Sequence, residues 1–302
     1  MLKNVLVTGA TGFIGYHLCN KLYEEGYRII AVGRKDENRI KCNEFYTCNW
    51  NNIPWEEVPN IDVCFHLAAN NDTLEKNEAF MNNSNYYAPI SLFKKLLDKK
   101  CSQFVYSSSC SVYGNENKPF SEDSVNLNPL NFYAKSKLMF EKFAQDFAKL
   151  NKVNCVGLRY SNVYGTHETH KNRRASMIHQ LIQKFSRNEK PKLFKDGNQK
   201  RDWVFVKDVV DANLLASKYN KSDVFNIGSG NSVSFNEIIK ILQKKMGKNI
   251  EPEYIDCSFE DQFQTDTTLS LDKSRSKLKY NPLYKLDEGI QEIKNKLPKL
   301  FS

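Results

Sequence analysis

The sequence predicts an α/β fold, a doubly wound parallel sheet joined to a smaller, discontinuous C-terminal lobe. Three observations predict it. Short apolar runs alternate with stretches of helical spacing through roughly the first half of the chain, the pattern of parallel strands linked by helices. A glycine turn, Gly9-Ala10-Thr11-Gly12-Phe13-Ile14-Gly15, stands directly between the first such strand and the first such helix. After Gly165 the alternation fails and resumes only in pieces.

Residues 2–8 read as a buried strand that delivers the glycines. Phe13, Ile14, Leu18, Leu22 and Tyr23 then recur at helical spacing until Gly26 closes the helix. Residues 28–33 predict a second strand, 45–48 a weak third, 61–67 a fourth and 104–107 a fifth, with a long helical stretch over 77–100 between the last two. A helix over 133–150 carries Phe140, Phe143, Ala144 and Phe147 on its apolar side, and 154–159 reads as a sixth strand. Residues 166–200 are basic, hold one helix over about 176–185 and end in a turn at Asp196-Gly197. Residues 224–227 return to the sheet, followed by helices over 235–246 and after Leu286. This divides the chain into a first domain over 1–165, joined by about 203–230, and a second lobe over 166–202 and 231–302.

At 302 residues, 40% hydrophobic and 26% charged, the chain is long enough for a substantial core. No apolar run approaches the roughly 18 residues a membrane span needs, so a soluble, cytoplasmic protein without membrane partners is expected. Eight scattered cysteines with no Cys-x-x-Cys spacing suit buried, reduced thiols and no metal site. The net charge of +9 comes from dispersed lysines rather than a basic helix or an aromatic-interleaved patch, which argues for a solvated surface and against a nucleic-acid partner. An anionic small substrate would be served equally well.

Glycines at 9, 12 and 15 give Gly-x-x-Gly-x-x-Gly spacing, which meets the demands of a dinucleotide site. These are a tight turn, a backbone that can approach a pyrophosphate, close helix packing and a helix N-terminus aimed at the anion. Sites for NAD usually carry an acid at the end of the second strand; here that end reads Ala31-Val32-Gly33-Arg34-Lys35. A guanidinium suits a 2′-phosphate, so NADP is favoured and NAD is the alternative, with Asp36 then taking the ribose and Arg34 merely solvated.

Tyr133 and Lys137 lie four apart, on one face of a helix. Free tyrosine titrates near ~10 and needs a neighbouring cation to act as an acid/base near neutrality. A unit charge at about 4 Å and an effective dielectric of ~20 contributes roughly 4 kcal/mol, so Lys137 alone is expected to supply the shift. Upstream lies the serine-rich strand end Tyr106-Ser107-Ser108-Ser109.

With these motifs and the segment Arg159-Tyr160-Ser161-Asn162-Val163-Tyr164-Gly165, the whole chain resembles the extended short-chain dehydrogenase/reductase family, whose first domain is a Rossmann fold and whose smaller lobe binds substrate. Within it, the stretches Met81-Asn82-Asn83-Ser84-Asn85-Tyr86, His170-Lys171 followed by Ala175-Ser176, Pro191-Lys192-Leu193-Phe194 and Lys200-Arg201-Asp202-Trp203 look most like the ADP-glyceromanno-heptose 6-epimerases. The resemblance implies a nucleotide-diphosphate sugar substrate, a homo-oligomer, and epimerisation by oxidation to a ketone and re-reduction. It implies catalysis by Tyr133 as acid/base, Lys137 on the nicotinamide ribose, Ser109 on the reacting hydroxyl and Lys171 as a second proton donor opposite the tyrosine. Cofactor contacts are implied at Gly9, Thr11, Gly12, Phe13, Ile14, Gly15, Arg34, Asn49, Leu67, Ala68, Ala69 and Asn85, besides Tyr133 and Lys137. Substrate contacts are implied at Ser108, Ser109, Asn162, Lys171, Phe194 and Arg201. Lys171 is otherwise a solvated charge or phosphate contact, Asn162 a turn residue and Phe194 an edge-strand hydrophobe.

Three departures from the heptose pattern stand out. Arg173-Arg174 replaces small or apolar residues, Asn49 stands where an aspartate often bonds the adenine, and an arginine expected before Phe263-Gln264 is absent. Competing activities remain. A 4,6-dehydratase needs an Asp-Glu pair where this chain has Cys110-Ser111. A UDP-sugar 4-epimerase uses the same Tyr/Lys/Ser set without need of Lys171, a nucleotide-sugar reductase or dehydrogenase would act in one direction, and a cofactor-sensing binding protein would be expected to lose Tyr133 or Lys137.

Overall fold

The structure, a computed structural model, describes residues 3–34, 40–47, 52–116, 118–256 and 264–301. Its strands are β1 (Asn4–Thr8), β2 (Arg28–Gly33), β3 (Glu44–Thr47), β4 (Val63–His66), β5 (Gln103–Ser109), β6 (Asn154–Tyr160) and β7 (Asn162–Tyr164), then β8 (Lys192–Phe194), β9 (Lys200–Phe205), β10 (Asp223–Ile227), β11 (Ser232–Ser234) and β12 (Glu253–Ile255). The α-helices are α1 (Phe13–Glu24), α2 (Glu78–Asn82), α3 (Ala88–Asp98), α4 (Phe132–Asn151), α5 (Met177–Ser186), α6 (Val206–Lys218), α7 (Phe235–Met246) and α8 (Leu286–Lys296).

The large sheet has the order β10-β6-β5-β4-β1-β2-β3, with every neighbouring pair parallel. Parallel strands are covered on both faces, which is why they read as continuous apolar runs rather than alternating ones. Val5 and Val7 of β1 pack with Leu18 and Leu22 of α1 on one face. Leu6 between them turns to the other, where Phe93, Phe104, Phe140 and Phe147 from α3, β5 and α4 form the core. The strand order reverses between β1 and β4, so a crevice opens beyond their carboxyl ends, the usual ligand position in such sheets.

The second lobe has its own core of Ile178, Leu181, Phe185, Ile238, Leu242, Ile290 and Ile293 from α5, α7 and α8. Strand β9 joins the lobes, pairing parallel with β7 and antiparallel with β11, while β8 and β12 form a separate parallel pair. Helix α7 starts at a Ser234–Glu237 capping box and stops at Gly247 in a left-handed conformation. The stretch expected as one helix over 77–100 is instead α2, a π-helical turn over Asn83–Tyr87, and α3. The expected third strand is seen as Glu44–Thr47, and Cys48 lies outside the described residues. Among the described residues no helix is long and apolar enough to cross a membrane.

Candidate active site

Thr8 ends β1 and Gly9 turns the chain at a φ of +71°, a left-handed value that glycine adopts without strain. A Cβ on Gly9 would lie 2.7 Å from the Ala68 nitrogen, and one on Gly15 would lie 2.2 Å from the Gly9 oxygen. The turn therefore packs against both the end of β4 and the first turn of α1. Gly12 caps α1 and donates its N–H to the Gly9 carbonyl at 2.9 Å. These features fit a dinucleotide: a cradle that any side chain would fill, lying at a helix N-terminus in the sheet's crevice.

Leu67, Ala68 and Ala69 follow β4 beside this turn, and the Thr8 hydroxyl ties them in by bonding His66 Nδ1 at 2.8 Å and accepting the Ala68 N–H at 3.4 Å. Burial, with the charge of Lys137, pushes His66 down to about 3, so the imidazole there is neutral. At the end of β2, a Cβ on Gly33 would sit 2.6 Å from the Thr11 side-chain methyl, which leaves no room for a ribose-binding acid. Arg34 follows, exposed, and Asn49 lies outside the described residues.

Asn85, expected as a cofactor contact, is held by protein partners. It is buried in the π turn, where its amide oxygen accepts the Asn70 N–H at 2.8 Å and its amide nitrogen donates to the Asn70 carbonyl at 2.9 Å and the Ser136 hydroxyl at 3.1 Å. It thus clamps the loop after β4 to the helix that carries Tyr133 and Lys137.

Helix α4 starts at Asn131, whose side chain accepts the Ala134 N–H at 2.9 Å, so Tyr133 and Lys137 occupy its first turns. The Lys137 ammonium is buried 5.8 Å from the Tyr133 ring centroid and donates to the Ser107 carbonyl at 2.8 Å. Burial lowers Lys137 to about 8, against the pull of Glu141. Burial also pushes the Tyr133 hydroxyl up to about 12, against a hydrogen bond from Ser109. The lowering expected from Lys137 alone is therefore not found: its ammonium is turned to Ser107, and desolvation of the phenolate outweighs what reaches the tyrosine oxygen.

Ser108 also departs from expectation. It is buried, and its hydroxyl donates to Glu141 rather than facing a substrate. Glu141 forms a bidentate pair with Arg159 at 3.0 and 2.8 Å, and the Arg159 guanidinium lies 4.8 Å from the Tyr113 ring centroid. This buried pair locks α4 to β5 and β6 beneath the site. Arg159→Met leaves Glu141 charged without its partner and is expected to cost about 3–5 kcal/mol. Urea unfolding of the variant would show it as a lower midpoint at unchanged slope, and an unshifted midpoint would contradict it.

Lys171 sits in a 3-10 turn over Thr169–Arg174, broken by Asn172 at φ 49° and ψ −126°. Its side chain is only 18% exposed; the ammonium lies 3.4 Å from Glu168 and 4.8 Å from the ring centroid of Phe13, the first residue of α1. A freely solvated lysine is thereby excluded. Glu168, unnoticed in the sequence, is fully buried and also accepts the Gly165 N–H at 3.1 Å, the Ser176 N–H at 2.6 Å and the Ser176 hydroxyl at 2.7 Å. One carboxylate so binds the end of β7, the Lys171 turn and the start of α5. Arg173 and Arg174 reach Asp72 of the first domain at 3.1 and 3.4 Å.

On the second lobe's side, Arg201 of β9 donates to the Lys200 and Thr265 carbonyls, and its charge is felt at Cys110 beside Ser109. Asn162 donates to the Thr267 hydroxyl at 2.9 Å and the Asp202 carbonyl at 3.3 Å, which makes it a stitch between strand and tail. Phe194 ends β8, 37% exposed. Gln264 donates to the Cys110 carbonyl at 3.2 Å and the Gly114 carbonyl at 2.8 Å, tying the tail to the turn after Ser109.

Compared with known proteins, the sequence matches the NAD dependent epimerase/dehydratase family over residues 5–228. It is 36% identical to an ADP-L-glycero-D-manno-heptose-6-epimerase of Brachyspira hyodysenteriae, with 98% of each chain covered. It is 32% identical to a putative UDP-glucose 4-epimerase of Methanocaldococcus jannaschii, over 96% of this chain and 97% of that one. The structure is similar to that of a UDP-glucose 4-epimerase of Thermotoga maritima with UDP-glucose, at a TM-score of 0.91 and 29% identity, covering 99% of this chain and 100% of that chain.

Proposed function

Because this chain belongs to the NAD dependent epimerase/dehydratase family, we propose that it is a nucleotide-sugar epimerase that inverts C6 of an ADP-activated heptose. The observation that carries this reading is Lys171, withdrawn from solvent and held by buried Glu168 against Phe13 at the edge of the glycine cradle. A second acid/base there lets one site treat both faces of a ketone. The 36% identity to a heptose 6-epimerase supports the same choice.

The glycine turn and the N-terminus of α1 would hold the dinucleotide's pyrophosphate. The chemistry a bound nicotinamide supplies is acceptance and return of hydride. Tyr133 then takes the proton of the sugar hydroxyl in one orientation, and Lys171 serves the other after the ketone turns. Lys137 fixes the cofactor ribose, Ser109 donates to the reacting oxygen, Arg201 and Asn162 receive the nucleotide diphosphate, and Phe194 borders the base. NADP is the preferred cofactor in this reading, because Thr11 closes the acid's usual place at Gly33 and Arg34 offers a guanidinium instead.

A UDP-sugar 4-epimerase is the second reading, favoured by the similarity to such enzymes in sequence and fold. Incubation with ADP-heptose, UDP-glucose, UDP-N-acetylglucosamine and GDP-mannose, each with NADP and with NAD, followed by NMR of the products, tests both. Inversion of the heptose at C6, faster with NADP, is expected. Conversion of a UDP-hexose at C4 with the heptose untouched overturns the C6 assignment, and equal turnover with NAD overturns the role given to Arg34.

A further inference from the structure

We infer that Ser111 is a positioning residue that forces the Ser109 hydroxyl to act as a hydrogen-bond donor toward the reacting oxygen. The inference rests on the catalytic role proposed for Ser109. A serine hydroxyl has one proton and two acceptor lone pairs. At Ser109 Oγ the backbone N–H of Ser111 donates at 3.2 Å and fills one lone pair, and the Ser111 hydroxyl lies at 2.9 Å, placed to donate into the other. The one proton left to Ser109 then turns to a partner other than Ser111. Ser109 thereby approaches a sugar oxygen in the single orientation that polarises a forming ketone.

Ser111 is held for this task by a stiff turn. Ser109 caps the 3-10 turn over Cys110–Tyr113, and Gly114 closes it at a φ of +64°, where a Cβ would lie 1.8 Å from the Asn128 carbonyl oxygen. Gln264 braces both ends of the turn. The backbone N–H of Ser111 already supplies the capping bond the turn needs, so its hydroxyl adds nothing to the turn that the N–H does not. What the hydroxyl does supply is the second donor that fills Ser109.

The test is steady-state kinetics of Ser111→Ala, Ser111→Thr, Ser109→Ala and the Ser109→Ala/Ser111→Ala double variant, with ADP-heptose as substrate, or UDP-glucose if that is the sugar converted. Ser111→Ala is expected to lower kcat about 10-fold, ~1.4 kcal/mol of transition-state stabilisation, with KM within about twofold of the parent and an unchanged thermal midpoint. Ser111→Thr restores the rate, and the double variant is no slower than Ser109→Ala alone, because two residues acting through one oxygen are not additive. If Ser109→Ala is slow while Ser111→Ala is fully active, or if the two losses multiply, the positioning role is overturned and the Ser109 reading stands. If Ser109→Ala is itself fully active, the Ser109 reading fails and the inference falls with it.

Discussion

Tyr133→Phe is expected to lower kcat by roughly 10²–10⁴-fold with little change in substrate KM, the loss typical of a removed general acid/base. The ring, and with it the packing of the first turn of α4, is kept, so the far-ultraviolet circular dichroism and thermal midpoint should not move. The magnitude follows from the state of the phenol. Burial holds it at about 12, protonated at neutral pH. To take a proton from a sugar it needs a cation nearer its oxygen than the Lys137 ammonium bound to Ser107. The positive ring of an oxidised nicotinamide, held at the glycine cradle, would supply such a charge. The pH profile of kcat/KM in the loaded enzyme should accordingly break well below 12. Full activity in the phenylalanine variant would reduce Tyr133 to an aromatic on a helix face.

Lys171→Met should cost a comparable roughly 10²–10⁴-fold in epimerisation, through a different half of the cycle. If Tyr133 and Lys171 each serve one orientation of the sugar, each single variant still oxidises one epimer and not the other. Mixed with the two epimers separately, the two variants should show opposite preferences for forming reduced cofactor, read by its near-ultraviolet absorbance. Lys171→Arg should not rescue: the charge is kept, but a guanidinium holds its proton too tightly to pass it on. Equal turnover of both epimers by Lys171→Met would leave Lys171 a phosphate or structural contact, and the one-tyrosine mechanism of the 4-epimerase reading would gain.

What the sequence revealed of this architecture was what repeats or sits at fixed spacing. Strands buried on both faces announce themselves as apolar runs, the glycines show the turn, and Tyr133 and Lys137 are one helical step apart. Charges that are buried but matched leave no such trace. Glu141 and Arg159 meet across 18 positions of chain. Glu168 looks like any polar loop residue until its four donors, drawn from Gly165, Lys171 and Ser176, are brought around it. Ser108, a substrate contact by resemblance, has a partner of the same hidden kind: its hydroxyl donates to Glu141, 33 positions on. The π turn that buries Asn85 likewise has no periodic signature in the sequence.

Gln264 ties a residue far along the chain to the turn that positions Ser109, more than 100 positions upstream. The two halves of the molecule are therefore not interchangeable cassettes. Exchanging the second lobe between relatives would carry a brace of the turn after Ser109 along with it.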